Sequence, residues 1–305
     1  MLSRVISTVL RDNTLLAFAK SLEPLALITA RAVSYATLLL VAGLPMYAVS
    51  SGQPISARMR GAVSLMAVIA AVASAWWALE SIAAMAGMAL SALDQPTAEA
   101  VLAATPLGAV MEWRLTALAA VVAAAAVPLN ALRAAAMAIA GSVALCSIVL
   151  TGHAGASEAV LHRWADGLHL LAAALWLGAL AVFLGGALRN RPDAQALARF
   201  ARTGSAVVAV LVLTGAVNTL AIAGWPIAWA SFAHSRWAAL LALKLALFVA
   251  MLALAAGNRW RIVPALEQSE DGAQARLRRS IVAEFAIGLA IVGVVAALGV
   301  LDPAA

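Results

Sequence analysis

The chain has 305 residues, of which 65% are hydrophobic and 11% are charged, and its formal net charge is +6. Soluble domains carry roughly 25% charged residues, so this composition excludes a soluble domain with a polar outer surface. The basic residues stand in short clusters between apolar runs, which is typical of membrane-protein loops rather than of a nucleic-acid-binding surface. We therefore expect an all-α protein with the lipid bilayer as its surroundings and no nucleic acid as a partner.

The N-terminal segment, residues 1–23, carries Arg4, Arg11 and Lys20 and has no apolar core followed by a cleavage site. It therefore does not have the pattern of a signal peptide, and we treat it as mature chain. Apolar residues at helical spacing between positions 5 and 10 predict an amphipathic, interfacial helix that lies on the membrane surface.

Eight later stretches are long and apolar enough to cross a membrane, which takes about 20 residues. The breaks between them are rich in Gly, Pro, Asn and Asp, as loops are. The sequence thus predicts a polytopic transmembrane helix bundle of eight helices within residues 24–303. The expected spans are 24–49, 61–90, 105–127, 130–151, 161–187, 200–223, 235–256 and 280–301.

The distribution of basic residues predicts the orientation of the bundle. The loops after the even-numbered spans hold Arg163 and Arg236, whereas the loops after the odd-numbered spans hold a set of twelve arginines. Cytoplasmic loops are enriched in Lys and Arg, so we expect the odd-numbered loops in the cytoplasm and both termini in the periplasm. The twelve are Arg58, Arg60, Arg133, Arg189, Arg191, Arg199, Arg202, Arg259, Arg261, Arg276, Arg278 and Arg279.

The chain has four histidines, and the predicted topology places all of them at or near the outer face: His153, His162, His169 and His234. His162, Asp166 and His169 are spaced by four and three residues in the fifth span, so they share one helix face. Ionisable residues inside a membrane are costly and usually functional. Because imidazole and carboxylate groups bind metals, this cluster predicts a metal site.

Helix geometry limits how these ligands combine. About 10.5 Å separates His162 from His169 along the helix axis, which is near the limit for two imidazoles that share one ion. We therefore favour a site in which His169 pairs with His153 of the preceding loop. Asp166 then binds the metal directly or orients His169. His162 is an entry ligand or belongs to a second site.

Softer ligands lie in the same half of the predicted bundle: Met85, Met88, Met111 and Cys146. Thioethers and thiolates favour Cu(I), while imidazole accepts both copper oxidation states. Methionine in an apolar helix usually serves packing alone, so the sequence leaves the role of these four residues open.

A recognisable pattern of residues begins in the loop before the fifth span. It runs Gly152-His153-Ala154, then Asp166-Gly167-Leu168-His169, then Trp176-Leu177-Gly178, and continues with Thr214-Gly215, Asn218, Leu243-Lys244-Leu245, Asn258-Arg259, Pro264, Glu284, Leu298-Gly299 and Pro303. In these features the chain resembles the copper resistance protein D (CopD) family over about residues 140–303.

The resemblance implies copper handling at the bacterial inner membrane, beside a small periplasmic copper carrier of the CopC type. The resemblance implies that His153, Asp166 and His169 are ligands of a copper ion. The prediction that His162 is a ligand depends on helix geometry alone. The loop that holds His234 departs from the family pattern, because Trp237-Ala238-Ala239 stands where the family often has a Gly-Arg pair.

Three functions follow as hypotheses. The first is a non-enzymatic copper-binding protein that transports copper from periplasm to cytoplasm; the chain has no Gly-x-x-x-x-Gly-Lys-Ser/Thr motif for nucleotide-driven transport. The second is a membrane b-type cytochrome with a haem held by the outer histidines. The third is a copper sensor or assembly factor without transport. The sequence leaves the oligomeric state, the copper oxidation state and any coupling ion open.

Overall fold

A computed structural model describes residues 2–151, 160–223 and 235–301, with side chains from residue 25 onward. Every regular element within these residues is helical. We number the helices α1 (Leu2–Ser51), α2 (Ala57–Met85), α3 (Gln95–Ala104), α4 (Leu107–Ala124), α5 (Asn130–Cys146), α6 (Val160–Leu188), α7 (Ala194–Ala223), α8 (Arg236–Gly257), α9 (Val263–Glu267) and α10 (Ala273–Leu298).

Eight helical stretches of the described chain are long and apolar enough to cross a membrane. The prediction of an all-α bundle with eight spans is therefore confirmed. The stretches are Leu25–Ser51, Ala57–Met85, Leu107–Ala124, Asn130–Leu150, Val160–Leu188, Ala194–Ala223, Arg236–Glu267 and Ala273–Leu298. Helix α1 already begins at Leu2, so the N-terminal segment is continuous with the first span; its position on the membrane surface stays a prediction.

The connection after the second span differs from its predicted form. The span ends at Met85 instead of near residue 90, and the separate helix α3 precedes the third span. Helix α3 begins here because the Asp94 side chain accepts a hydrogen bond from the Thr97 amide at 2.9 Å, which caps the first turn. The hydrogen bonds from Thr97 also lower the pKa of Asp94 below its usual value.

The seventh span is longer than predicted. It continues past residue 256 through a π-helical turn at Asn258–Ile262 and the short helix α9 as far as Glu267. Pro264 has no amide hydrogen to donate to the preceding turn, which accounts for the break in regular α-helix at this point. Single π-helical turns are rare and frequently occur at functional sites.

Helix α1 lies at the centre of the bundle and packs against α2, α5, α6 and α10. Its side chains at Leu38, Val41 and Ala42 are fully buried. The helices α7 and α8 lie at the periphery: α7 packs chiefly against α6, whereas α8 packs chiefly against α10. Helices α7 and α8 therefore make few contacts with each other. The space between them is closed on its inner side by α6 and α10.

Candidate metal-binding cavity

The three predicted ligands of the fifth span, His162, Asp166 and His169, all line one cavity of about 200 Å³. They lie in the first turns of α6, and the cavity is at the end of the bundle where α6 begins, which we call the histidine end. The sharing of one helix face that their spacing predicts is therefore confirmed. Of the three, His162 is the most deeply buried, with 3% of its surface exposed.

Four other helices complete the walls of this cavity. Helix α1 contributes Arg31 and Tyr35 and helix α7 contributes Gly215 and Asn218, while α8 and α10 contribute Trp237, Lys244, Val295 and Gly299. The Arg31 guanidinium donates hydrogen bonds to the Gly299 carbonyl at 2.7 Å and to the Tyr35 hydroxyl at 3.0 Å. Arg31 thus contacts the backbone at the C-terminal end of α10 and the side chain of Tyr35.

His169 is oriented by a hydroxyl group from the neighbouring helix. Its Nδ1 lies 2.9 Å from Oγ1 of Thr214 on α7. The Thr214 hydroxyl donates its hydrogen to the carbonyl of Val210 at 2.5 Å, so its oxygen is left to accept. The hydrogen-bond network therefore assigns a proton to Nδ1 of His169, which leaves the Nε2 lone pair available to a metal ion.

Asp166 is fixed by the same helix, one turn further along. The Asn218 side-chain amide donates to its Oδ1 at 3.2 Å. The Lys244 ammonium lies close enough to interact electrostatically with both Asp166 and His169. The contact between Thr214 and His169 was not predicted from the sequence, and the role of Asp166 as a ligand or an orienting group stays a prediction.

Two polar atoms of this cavity have no hydrogen-bond partner among the described residues: Nδ1 of His162 and Oδ1 of Asn218. Buried polar groups are normally satisfied, so unsatisfied ones call for a bound water or ion. Across the described ranges, however, no three His, Cys, Asp or Glu side chains are close enough to hold one metal ion together. His153 and His234 fall outside the described residues, so the ligand set of His153, His162, Asp166 and His169 stays a prediction.

The softer candidate ligands do not line this cavity, although Cys146 lies close enough to Asp166 to interact with it electrostatically. Met111 packs in a separate apolar cluster around Trp77, and half of the Met85 side chain is exposed. Neither of these residues, nor Met88 or Cys146, lines the cavity with the histidines.

Two charged side chains within the spans have local partners, although two guanidinium nitrogens of Arg114 lack a hydrogen-bond partner among the described residues. Glu80 accepts a hydrogen bond from the Trp76 indole at 3.0 Å. Arg114, which is fully buried, donates to the Ser147 hydroxyl at 2.7 Å and lies 5.0 Å from the centre of the Trp77 ring. Neither Glu80 nor Arg114 lines the cavity at the histidine end.

The fold and the cavity define a class of protein: a polytopic α-helical membrane protein with a polar, histidine-lined cavity between its spans. Two family models match the chain, one described as "Copper resistance protein D-like, N-terminal domain" over residues 21–164 and one described as "Copper resistance protein D" over residues 194–298. The chain therefore belongs to the copper resistance protein D family. Asp166 and His169 lie in the segment between the two matched ranges.

Two curated relatives support this assignment. Copper resistance protein D of Pseudomonas syringae pv. tomato is 37% identical over 182 residues, which cover 53% of this chain and 57% of the relative. The inner membrane protein YebZ of Escherichia coli (strain K12) is 32% identical over 161 residues, which cover 50% of this chain and 54% of the relative. The chain thus spans little more than half the length of the curated relatives it matches. No solved structure gives a significant match.

Proposed function

We propose that this chain is a multi-pass inner-membrane protein that binds copper in the cavity at the histidine end and moves it toward the opposite face. One observation carries the proposal: Thr214 accepts from Nδ1 of His169, which leaves the Nε2 lone pair available in a cavity that His162 and Asp166 also line. A neutral imidazole held in this way suits copper, which accepts nitrogen ligands in both oxidation states. The name of the family, copper resistance protein D, agrees with copper as the cargo.

The remaining ligands of the proposed site come from the same region. His162 has an unpartnered Nδ1 and Asp166 supplies a carboxylate. His153 precedes α6 in the sequence and lies outside the described residues. The carboxylate would lower the electrostatic cost of bringing a cation into a site among apolar helices.

Below the cavity, an apolar cluster separates the histidine end from the other half of the bundle. It is formed by Ala172, Trp176, Leu180, Val207, Leu211 and Met251, with Phe248 and Ile287 packed against it. Met251, which is 5% exposed, places a thioether in this cluster, and thioethers bind Cu(I). We propose that copper passes inward here between α6, α7, α8 and α10.

The direction of transport in this proposal, periplasm to cytoplasm, rests on the arginine-rich odd-numbered loops, which favour a periplasmic histidine end. The family resemblance adds a small periplasmic copper carrier of the CopC type as the partner that delivers the ion. The absence of a nucleotide-binding motif in the sequence implies that movement is passive or driven by an ion gradient.

Copper uptake by purified protein in proteoliposomes of one orientation tests the proposal. We expect uptake by the wild type and at least a tenfold lower initial rate for His169→Ala, while Arg236→Met, a change at an exposed residue, keeps the wild-type rate. Equal uptake by all three proteins would contradict the histidine site.

Two other outcomes would favour the alternative functions. A Soret band in the absorption spectrum of the purified protein would identify a haem and a b-type cytochrome. Tight copper binding that is lost in His169→Ala, but without any uptake, would identify a sensor or assembly factor.

A further inference from the structure

A second cavity lies at the end of the bundle opposite the histidines. Its volume is about 320 Å³, and it is bounded by the same four helices, α6, α7, α8 and α10. On α6 the histidine cavity ends at Ala173 and the second cavity begins at Trp176. The two cavities are thus stacked along the bundle, with the apolar cluster around Leu211 and Met251 between them.

A buried carboxyl group forms part of the wall of this second cavity. Glu284 of α10 is only 2% exposed and accepts a hydrogen bond from the Asn258 side-chain amide. The Ser280 hydroxyl is a second, neutral partner. Among the described residues the recorded ion pair is Arg276 with Glu270, so no cation lies within ion-pair distance of Glu284.

A carboxylate in such surroundings is costly unless a proton or a cation neutralises it. Asn258 owes its position to the π-helical turn that begins with it, at the point where the seventh span departs from regular helix. The turn therefore presents an amide directly to Glu284. Both residues are among the least exposed polar groups of the chain.

Two further polar atoms indicate that water enters this cavity. Oδ1 of Asn258 and Nε1 of Trp176 are buried and have no hydrogen-bond partner among the described residues. One is an acceptor and the other a donor, and both residues line the cavity. A lone metal cation would satisfy the acceptor but not the donor, whereas water satisfies both. The cavity has room for several water molecules at about 30 Å³ each.

Other charged and titratable groups lie on the helices that pack around Glu284. Arg259 lies in the π-helical turn that follows α8. Among the described residues that line this cavity, it is the one charged residue besides Glu284. Its side chain is exposed and donates a weak hydrogen bond to the Ser205 hydroxyl at 3.4 Å. Tyr47 of α1 packs beside Ile281, one turn from Glu284. Lys244 of α8 and His169 of α6 face the other cavity, beyond the apolar cluster.

We propose that Glu284 is a proton-exchange site that communicates, through water in this cavity, with the face opposite the histidines. In this step the O–H bond of the Glu284 carboxyl breaks, the proton passes to a cavity water and leaves past Arg259, and the reverse step reloads the carboxyl. Coupling of this exchange to copper rests on the proposed function: a monovalent cation that arrives from the histidine end displaces the Glu284 proton into the water of this cavity, and a proton from the same face reloads the carboxyl after the cation has left.

Infrared difference spectroscopy of the protein in lipid tests the exchange without copper. As the bath pH is raised, we expect a carboxyl C=O band of the wild type to disappear and to shift when the bath is changed to D₂O. Glu284→Gln should lack this band, Asn258→Ser should move it by removing a hydrogen bond, and the exposed-residue control Glu267→Gln should keep it. A spectrum of Glu284→Gln identical to that of the wild type would overturn the proposal.

Proteoliposomes filled with buffers of different pH test the coupling separately. We expect acidification of the lumen, which is the side opposite the histidine end, to slow copper uptake by the wild type because luminal protons compete with the cation for Glu284. Glu284→Gln should lose this dependence on luminal pH, while copper still binds to the detergent-solubilised variant with wild-type affinity. Wild-type copper uptake at a rate independent of the luminal pH would overturn the coupling. A wild type that takes up no copper would instead contradict the proposed function, and the infrared titration would still decide the role of Glu284.

Discussion

Gly43 of α1 and Gly178 of α6 lie backbone against backbone, so close that a β-carbon added to either glycine would collide with the main chain of the other helix. Such close contact between small residues is a principal way in which membrane helices associate. It fixes α6, which carries the histidines, against the central helix of the bundle.

Gly178→Ala should therefore destabilise the protein. Overpacking of a well-packed interface typically costs about 1–3 kcal/mol, and here both partners are rigid backbone. Gly293→Ala is the matched control, because nothing lies within 4 Å of a β-carbon there and alanine is the better helix former. The midpoint of thermal unfolding in detergent should fall for Gly178→Ala and stay or rise slightly for Gly293→Ala. Equal midpoints would contradict the close packing of α1 and α6.

Thr214→Val should weaken copper binding by about 10–100-fold, as expected when a residue that orients a ligand is lost. The His169 ring would lose the acceptor that fixes its Nδ1 proton, whereas Thr214→Ser keeps the hydroxyl and should retain most of the affinity. Thr203→Val, on the same helix but toward its other end, is the control. Copper titration monitored by competition with a chromogenic chelator measures the effect, and a wild-type affinity for Thr214→Val would show that Thr214 does not act through His169.

The ligands themselves should show a hierarchy of effects. His169→Ala and His153→Ala should each reduce copper affinity far more than His234→Ala, because His234 belongs to the part of the sequence that departs from the family pattern. Asp166→Asn should fall between them if Asp166 acts without binding the metal. Losses of similar size for all four variants, measured in the same titration, would mean that the cluster on α6 is not the centre of the site.

Lys244→Met should tighten copper binding, on the order of tenfold. The ammonium interacts electrostatically with Asp166 and His169 and would repel an incoming cation. Arg236→Met removes a charge from the same helix at an exposed position and should change the affinity by less than about twofold, because water screens it. Weaker binding by Lys244→Met would instead show that the lysine supports the site.

A reporter fused after Ala305 tests the predicted orientation. The arginine-rich odd-numbered loops predict periplasmic termini, so alkaline phosphatase at this point should be active, and a fluorescent cytoplasmic reporter inserted between Glu267 and Arg279 should be bright. An inactive phosphatase together with a dark internal reporter would reverse the orientation and place the histidine end in the cytoplasm.

The sequence was sufficient to predict the eight spans and the common face of His162, Asp166 and His169, because both depend on local periodicity. It did not reveal that Thr214 and Asn218 hold His169 and Asp166, since such contacts depend on how two helices are aligned. A signal was nonetheless present. When two antiparallel helices pack together, the residue numbers of contacting partners add up to nearly the same value along the whole interface. The pairs His169–Thr214 and Asp166–Asn218 follow this rule, because their residue numbers have sums that differ by one.

The second cavity could not be predicted from local patterns. Glu284 and Asn258 both belong to the family pattern, but they are separated by 26 positions, and only the π-helical turn and the packing of α10 show that the two side chains are in contact. The break at Pro264 was visible in the sequence, but a proline alone does not distinguish the end of a span from a π-helical turn within it.

The near separation of α7 and α8 has a mechanical consequence. Helix α8 rests on α10 and crosses both cavities, and the apolar cluster that contains Met251 and Leu211 lies between them at mid-height. A tilt of α8 with this cluster as its pivot would widen the cavity at one end while it narrows the cavity at the other. One small rigid-body movement of a peripheral helix would then expose the two halves of the bundle to water in turn.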